Sequence, residues 1–318
     1  MHQSAPHRRA IFAGLASLGV AAPGLALAQV GILENRASRI SAPTDSYAPP
    51  TSLKTILDIY KRMTAPVTVN GAGPFPFVAD TGANQSVISA ELAAQLGLPP
   101  GDAQQLNGVA GVQTTQTVGA RLALGARAER LATLAVLPAA AIGGPGMLGL
   151  DQLDGARLTL DFRNQALIID QHALPGVGGL ISLRAHRRDG QLTLVDADLA
   201  GIPVTAFLDS GAQDTIGNMA LRQLAITRYP TTPWKPIPIV SVTGQTVDAE
   251  FADLPALRIG GLTLPDWPVA FADMHIFHLW NLVEQPAVVL GVDLMSRFEA
   301  VCLDFRKDQV LFRLPTRD

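Results

Sequence analysis

Two tetrapeptides carry the residues best suited to acid–base chemistry, Asp80-Thr81-Gly82-Ala83 and Asp209-Ser210-Gly211-Ala212. Each follows an apolar run, Phe77-Val78-Ala79 in the first case and Ala206-Phe207-Leu208 in the second. A carboxylate at the end of a buried strand is costly unless it is paired or put to use. A structural tandem repeat would not require that carboxylate in both copies, whereas a carboxyl group that gives and takes a proton would.

The tetrapeptides are the first of three landmarks that recur in the same order. The second is Leu148-Gly149-Leu150-Asp151 against Leu290-Gly291-Val292-Asp293. The third is Asp161-Phe162-Arg163 against Asp304-Phe305-Arg306, each followed by an apolar run. The second copy is longer between its first two landmarks, so it carries an insertion there. Such self-similarity marks a repeated architectural unit. Around the landmarks, Ser89 to Leu96 and Asn218 to Leu224 read as helices. Gly119 to Leu124, Leu131 to Leu137, Leu254 to Ile259 and Trp267 to Ala272 read as strands between Gly, Pro and Asp punctuation. Glycine-centred hairpins are expected at Val109 to Thr115 and Val240 to Val247, with Ala110, Gly111, Thr243 and Gly244 at their tips. The fold class is therefore all-β, two pseudo-symmetric β lobes with short helices and a cleft between them. The lobes span 65–170 and 181–318, joined by a Gly/Pro-rich linker at 171–180.

Composition agrees. The 318 residues are 48% hydrophobic, enough for two cores, and 29 Gly and 23 Pro with 5% aromatics suit a turn-rich β protein. A formal net charge of −3 with 16% charged residues gives no basic surface for nucleic acid. The single cysteine, Cys302, forms no intrachain disulfide and reads as core, as do Met147 and Met295. His275 and His278 have metal-compatible spacing, but nothing completes a ligand set, so they read as a loop between lobes, and neither metal nor cofactor is expected. Gly144-Pro145-Gly146-Met147-Leu148-Gly149 matches a dinucleotide fingerprint in form only, because a β-like run from Arg157 follows too soon for the required helix.

His7-Arg8-Arg9, an uncharged apolar run and Ala26-Leu27-Ala28 read as a signal peptide over 1–28, cleaved before Gln29. The arginine pair resembles a twin-arginine signal, and the expected location is periplasmic or secreted, without stable membrane insertion. Residues 29–64 read as a lead-in. Leu53, Ile56, Leu57, Tyr60 and Met63 within it fit a helix or an entering strand.

The paired Asp-hydroxyl-Gly-Ala segments, each with a downstream apolar-apolar-Gly, resemble the two half-sites of an aspartic peptidase, and more closely the retropepsin-like branch in its bacterial single-chain form. The resemblance covers most of Ala65 to Pro315. It implies that Asp80 and Asp209 meet across a pseudo-two-fold axis and activate a water for peptide-bond hydrolysis. Thr81 and Ser210 would brace the two loops, and Gly82 and Gly211 would allow tight turns and close approach. Two carboxylates about 3 Å apart cannot both ionise cheaply and so titrate as a dyad, for which aspartic proteases are the standard example. Metal is not needed, the partner is a peptide or protein substrate, and a monomer suffices. A catalytically inactive peptide-binding module of the same fold is the alternative.

Departures from the family pattern carry expectations too. Ala83 and Ala212 stand where pepsin-like enzymes place a hydroxyl that favours the charged carboxylate, so a mildly acid optimum, roughly pH 4 to 6, is expected. Asn84 and Gln213 replace an acidic residue, and Leu150 and Val292 replace its arginine partner. Both halves of that ion pair are absent together. Asn84 and Gln213 thus become candidates to hydrogen-bond substrate backbone, and the two hairpins match flaps in position. Asp151 and Asp293 match a structural helix start and are excluded from the site.

Overall fold

The computed structural model describes residues 26–27, 51–58, 61–127, 129–153, 157–170, 180–188, 191–194, 196–241 and 243–316. The described residues are mostly strand, with six short helices among them, and the two halves are built alike. In the first, strands Met63–Val69 and Ala72–Ala79 form an antiparallel hairpin whose second strand runs into Asp80. Gly146–Leu148 then returns parallel to that strand, pairing Leu148 with Ala79. The second half repeats the device. Thr205–Leu208 runs into Asp209, and Ala287–Leu290 lies parallel to it with Leu290 opposite Leu208. Each aspartate N–H donates to the carbonyl of the returning strand, Asp80 to Leu148 at 2.9 Å and Asp209 to Leu290 at 3.0 Å. Both strand ends are buried on two faces, which explains their unbroken apolar runs.

The helices Ala90–Gln95 and Met219–Arg228 follow the aspartate loops, as their capping residues dictate. Ser89 Oγ accepts the Leu92 N–H at 3.0 Å, and Asn218 Oδ1 accepts the Leu221 N–H at 2.9 Å. Asn218 Nδ2 also donates to the carbonyls of Leu282 and Gln285, both at 2.7 Å, tying its helix to the segment before the returning strand.

The third landmark proves to be the joint between the halves. Arg157–Asp161 and Ala166–Asp170 form one hairpin, Ala300–Asp304 and Gln309–Arg313 another, and the first strands of each pair antiparallel, with Thr159 opposite Cys302. Asp161 Oδ1 accepts the Asn164 N–H at 2.9 Å and so shapes its turn. A buried ion pair of Arg157 with Asp304 crosses the joint. Cys302 is fully buried there, its thiol pushed up to about 11 chiefly by burial, which keeps it inert as an acid at ordinary pH. Met147 and Met295 are buried as well.

Thr51–Lys54 belongs to this same joint, pairing antiparallel with Ala166–Asp170. Thus the later part of the segment read as a lead-in is integral β structure, and its helix-or-strand ambiguity resolves as strand at Leu53, Ile56, Leu57 and Met63, while Tyr60 lies outside the described residues. The alternating burial of Thr51–Lys54 is period two, with Thr51 and Leu53 inward. Ala26–Leu27, from the end of the segment read as a signal peptide, lies parallel to Lys235–Ser241. The rest of that segment and linker residues 171–179 lie outside the described residues. No helix among the described residues is long and apolar enough to cross a membrane.

Candidate active site

The two half-sites meet, and the hydroxyls lock them. Thr81 N–H donates to Ser210 Oγ at 3.0 Å while Ser210 N–H donates to Thr81 Oγ1 at 2.9 Å. Each hydroxyl then reaches past its partner loop, Thr81 Oγ1 donating to the Leu208 carbonyl at 3.2 Å and Ser210 Oγ to the Ala79 carbonyl at 2.8 Å. Four bonds related by a two-fold axis leave little room for relative movement, and all four are buried, where such a network is rigid because its alternatives are unsatisfied groups. Asp80 and Asp209 are 0% and 1% exposed.

The glycines serve close approach. A methyl group on Gly82 would fall under 3 Å from the carboxyl of Asp209, and one on Gly211 equally close to the carboxyl of Asp80. Each lobe's glycine is therefore the surface against which the other lobe's carboxylate rests. Gly82 N–H donates to Asp80 Oδ1 at 2.7 Å and Gly211 N–H to Asp209 Oδ1 at 2.8 Å, so the same residue also orients its own lobe's acid.

Burial pushes the Asp80 carboxyl well above the usual carboxylate range. The charge of Asp209 and a hydrogen bond between the two carboxyls act in the same direction, while the Gly82 N–H and the cation of Arg62 oppose them. Two carboxyls in hydrogen-bonding reach and out of water hold a proton between them more tightly than free carboxyls do, and the raised value belongs to the pair.

The second landmark buttresses the first. Leu150 N–H donates to the Ala83 carbonyl at 2.8 Å and Val292 N–H to the Ala212 carbonyl at 2.9 Å. Gly149 and Gly291 lie too close to those loops to carry a side chain. Asp151 accepts from Ser86 Oγ at 2.7 Å, and Asp293 accepts from both the N–H and the hydroxyl of Thr215 at 2.9 and 2.7 Å. These two carboxyls hold loop to helix and stand apart from the dyad.

Burial raises Asp151, Asp214 and, to about 6, Asp293. With the dyad, these groups make the native state bind protons more tightly than the unfolded chain between about pH 4 and 6, so stability falls as pH rises through that window. Asp293 alone accounts for about 3 kcal/mol of that loss. Glu299, held low by Thr316, and His275, held low by burial, act in the opposite direction. The urea midpoint should accordingly be higher at pH 4.5 than at pH 7; equal midpoints would contradict these buried carboxyls.

Hairpins project from both lobes. In the first, Pro100–Gly108 pairs with Gly111–Leu124, and the two-residue turn is Val109-Ala110, with Gly111 at φ 133°. In the second, Lys235–Ser241 pairs with Thr246–Ile259, and Gly244 takes φ 80° in the turn. Gly108 packs against Thr243 and Ser241, so the tips touch. Thr243 is buried and bonds Ser241 Oγ at 2.8 Å, whereas Gly111 and Gly244 border open space. Ala110, Asn84 and Gln213 are half-buried, the main-chain carbonyl of Gln213 accepting the Asp293 N–H at 3.0 Å.

The first hairpin inverts the usual burial of a surface loop. Its stem is exposed at Pro100 to Ala103, yet Leu106 and Val109 at its end are 0% exposed. Leu106 packs with Val78 and Ala83 of its own lobe, while Val109 enters the other lobe's cluster with Phe207, Ala212 and Ile239. His275 N–H donates to the Val109 carbonyl at 2.7 Å, and its Nε2 lies 3.3 Å from Asn107 Oδ1. His275 opens a short helix, His275–Leu279, where the sequence suggested a loop, and Trp280 anchors it by stacking on Phe207 at 3.9 Å. Val109, Asn107 and His275 escaped sequence reading because nothing local announces a contact between lobes. Val109→Ser should undock this tip, raising amide hydrogen exchange over 103–116 and leaving Thr205–Leu208 unchanged. Unaltered exchange at the tip would show that the cross-lobe burial does not hold the hairpin.

Among the described residues no group of three or more His, Cys, Asp or Glu could hold a metal ion. The chemistry available is that of two buried carboxyls in mutual contact, in a fold that projects a hairpin from each lobe. Against known proteins, a family model described as aspartyl protease matches residues 65–152 and 195–294, more than half of the chain, and both half-sites fall inside the matched regions. Among solved structures, soybean basic 7S globulin aligns with a TM-score of 0.47 and 11% identity over 85% of this chain and 97% of that one. No curated protein matches. By the extent of that family match, the chain belongs to the aspartyl protease family.

Proposed function

We propose that the protein is an exported aspartic endopeptidase that hydrolyses peptide bonds with a water activated between Asp80 and Asp209. The observation that carries this reading is the coupled, buried carboxyl pair held by reciprocal Thr81 and Ser210 bonds. A pair sharing one proton contains both an acid and a base. The ionised member takes a proton from water as the oxygen attacks the peptide carbonyl. The protonated member donates to the developing oxyanion, and a proton then passes to the leaving nitrogen as the C–N bond breaks. No covalent intermediate is involved.

An extended peptide would lie along the cleft and add to the hairpin strands by backbone hydrogen bonds, with Asn84 and Gln213 as further partners. Because the Val109 tip is docked on the opposite lobe, substrate entry requires it to lift. The raised pKa of Asp80, facing Asp209, supports an optimum in mild acid, roughly pH 4 to 6. The apolar leader with its Ala26-Leu27-Ala28 end supports export to the periplasm or beyond, and both half-sites on one chain support a catalytic monomer. The decisive experiment maps cut sites in a peptide library by mass spectrometry, parent against Asp80→Asn. Cuts made by the parent and absent from the variant establish the activity. Peptide binding with no cuts from the parent would assign instead an inactive binding module.

A further inference from the structure

One group in the contact between the first hairpin and the second lobe can change its charge near neutral pH. The hairpin meets that lobe through Val109, which is 0% exposed, and through His275, whose N–H donates to the Val109 carbonyl at 2.7 Å. The ring of His275 touches the same hairpin, with Nε2 lying 3.3 Å from Asn107 Oδ1. An amide oxygen only accepts, so the neutral ring carries its proton on Nε2 and leaves Nδ1 bare. Nδ1 makes no hydrogen bond among the described residues. A second proton therefore arrives without an acceptor, on a half-buried ring beside Ile276 and Phe277 of the apolar cluster that takes up Val109.

The charges around the ring do not offset this cost. From the first lobe, residues 103–120 bring no titratable group to the contact. On the helix, His278 acts against a positive charge on His275. The nearby carboxylate of Asp273 is taken by His278, with Nε2 and Oδ1 2.8 Å apart. Asp273 in turn shares a surface cavity with Asp248 and Glu250, and Glu250 is paired with Arg222. Burial first, then His278, holds His275 below the ordinary histidine range.

We infer that His275 is a pH-sensitive latch: while its ring is neutral the first hairpin stays docked on the second lobe, and protonation releases the tip. Docking encloses the ring, so the docked state binds the proton less tightly than the lifted one. The hold is complete above the range of an exposed histidine, about 6.5, and is lost as pH falls below it toward the lower value of the docked ring. The hairpin is thus closed at neutral pH and freed in mild acid. Admission of substrate by this movement rests on the peptidase reading; the latch itself does not.

Two measurements on the full chain, both without substrate, test the latch. The first is amide exchange over 103–116 at about pH 7.5 and about pH 5, corrected for the intrinsic effect of pH. Opening should rise by about threefold or more in acid in the parent and stay flat in His275→Gln, which cannot gain the charge. Equal opening at the two pH values, or a rise that survives His275→Gln, would overturn the inference. Global unfolding cannot imitate the rise, because buried carboxyls such as Asp293 make the whole fold more stable in acid. The second is NMR titration of the His275 ring in the parent and in Val109→Ser. Docking and proton binding are reciprocal, so in a variant whose tip exchange has risen the midpoint should move up toward about 6.5. An unchanged midpoint in such a variant would overturn the inference equally. Should His275→Gln fail to fold, the parent's exchange and this titration still decide. Cleavage enters neither readout, so a protein without turnover tests the latch as well, and a failed latch leaves the peptidase reading intact.

Discussion

Asp80→Asn and Asp209→Asn should each lower peptide cleavage by about three to four orders of magnitude while leaving the fold at least as stable as the parent at pH 7. The rate loss is the usual worth of a positioned acid–base group, and neither asparagine can exchange a proton with water in the required sense. The stability forecast follows from the same burial. Above the range where the pair shares a proton, two negative charges face each other out of water, and removing one relieves both the desolvation and the repulsion that raise the pair. The asparagine oxygen can still accept the loop N–H groups now bonded to Oδ1. Kinetics on a fluorogenic peptide and urea unfolding at pH 7 check both halves. Variants that lose activity only because they unfold would refute this account, as would a variant that retains a tenth of parental turnover.

Gly82→Ala and Gly211→Ala should fail differently, losing activity and stability together. Each added methyl meets the carboxyl of the opposite lobe at under 3 Å, a distance that real contacts of this kind do not adopt. Relief is possible only by moving the carboxylate or parting the lobes, and the four bonds of Thr81 and Ser210 resist the second. Overpacking of this kind costs about 1–3 kcal/mol or more, and displacement of a reacting group by about 1 Å costs about a hundredfold in rate. Gly111→Ala provides the contrast. There φ is 133°, so alanine is strained, but no atom lies in its way and no carboxylate moves. Cleavage at a hundredth of the parental rate or less in the first pair, near-parental cleavage in Gly111→Ala, and lowered unfolding midpoints throughout would fit. Normal turnover in Gly82→Ala would show that the lobes are not pressed together as described.

The contrast between these glycines also marks the limit of local reading. From residue types, the glycine after each hydroxyl suggests a tight turn; in the fold, the requirement at Gly82 and Gly211 comes from a carboxylate supplied by the other lobe. Likewise the third landmark reads as a repeated strand pair, and only the assembled chain shows those strands pairing with each other across the joint.

What the amino-acid order determines alone is the repeated unit: an apolar strand, an acid-hydroxyl-glycine turn, a capped helix and a returning Leu-Gly strand, each written in residue types that act on near neighbours. Export, if the leader directs it, is written in the same local way. Tertiary structure decides how the two units face each other, which brings Gly82 to Asp209, Val109 to Phe207 and Thr159 to Cys302. It also sets the cation of Arg62 near Asp80. The pairings between the units join residues about a hundred positions apart or more, and they form only when burying two apolar faces against each other outweighs the entropy of bringing the halves together.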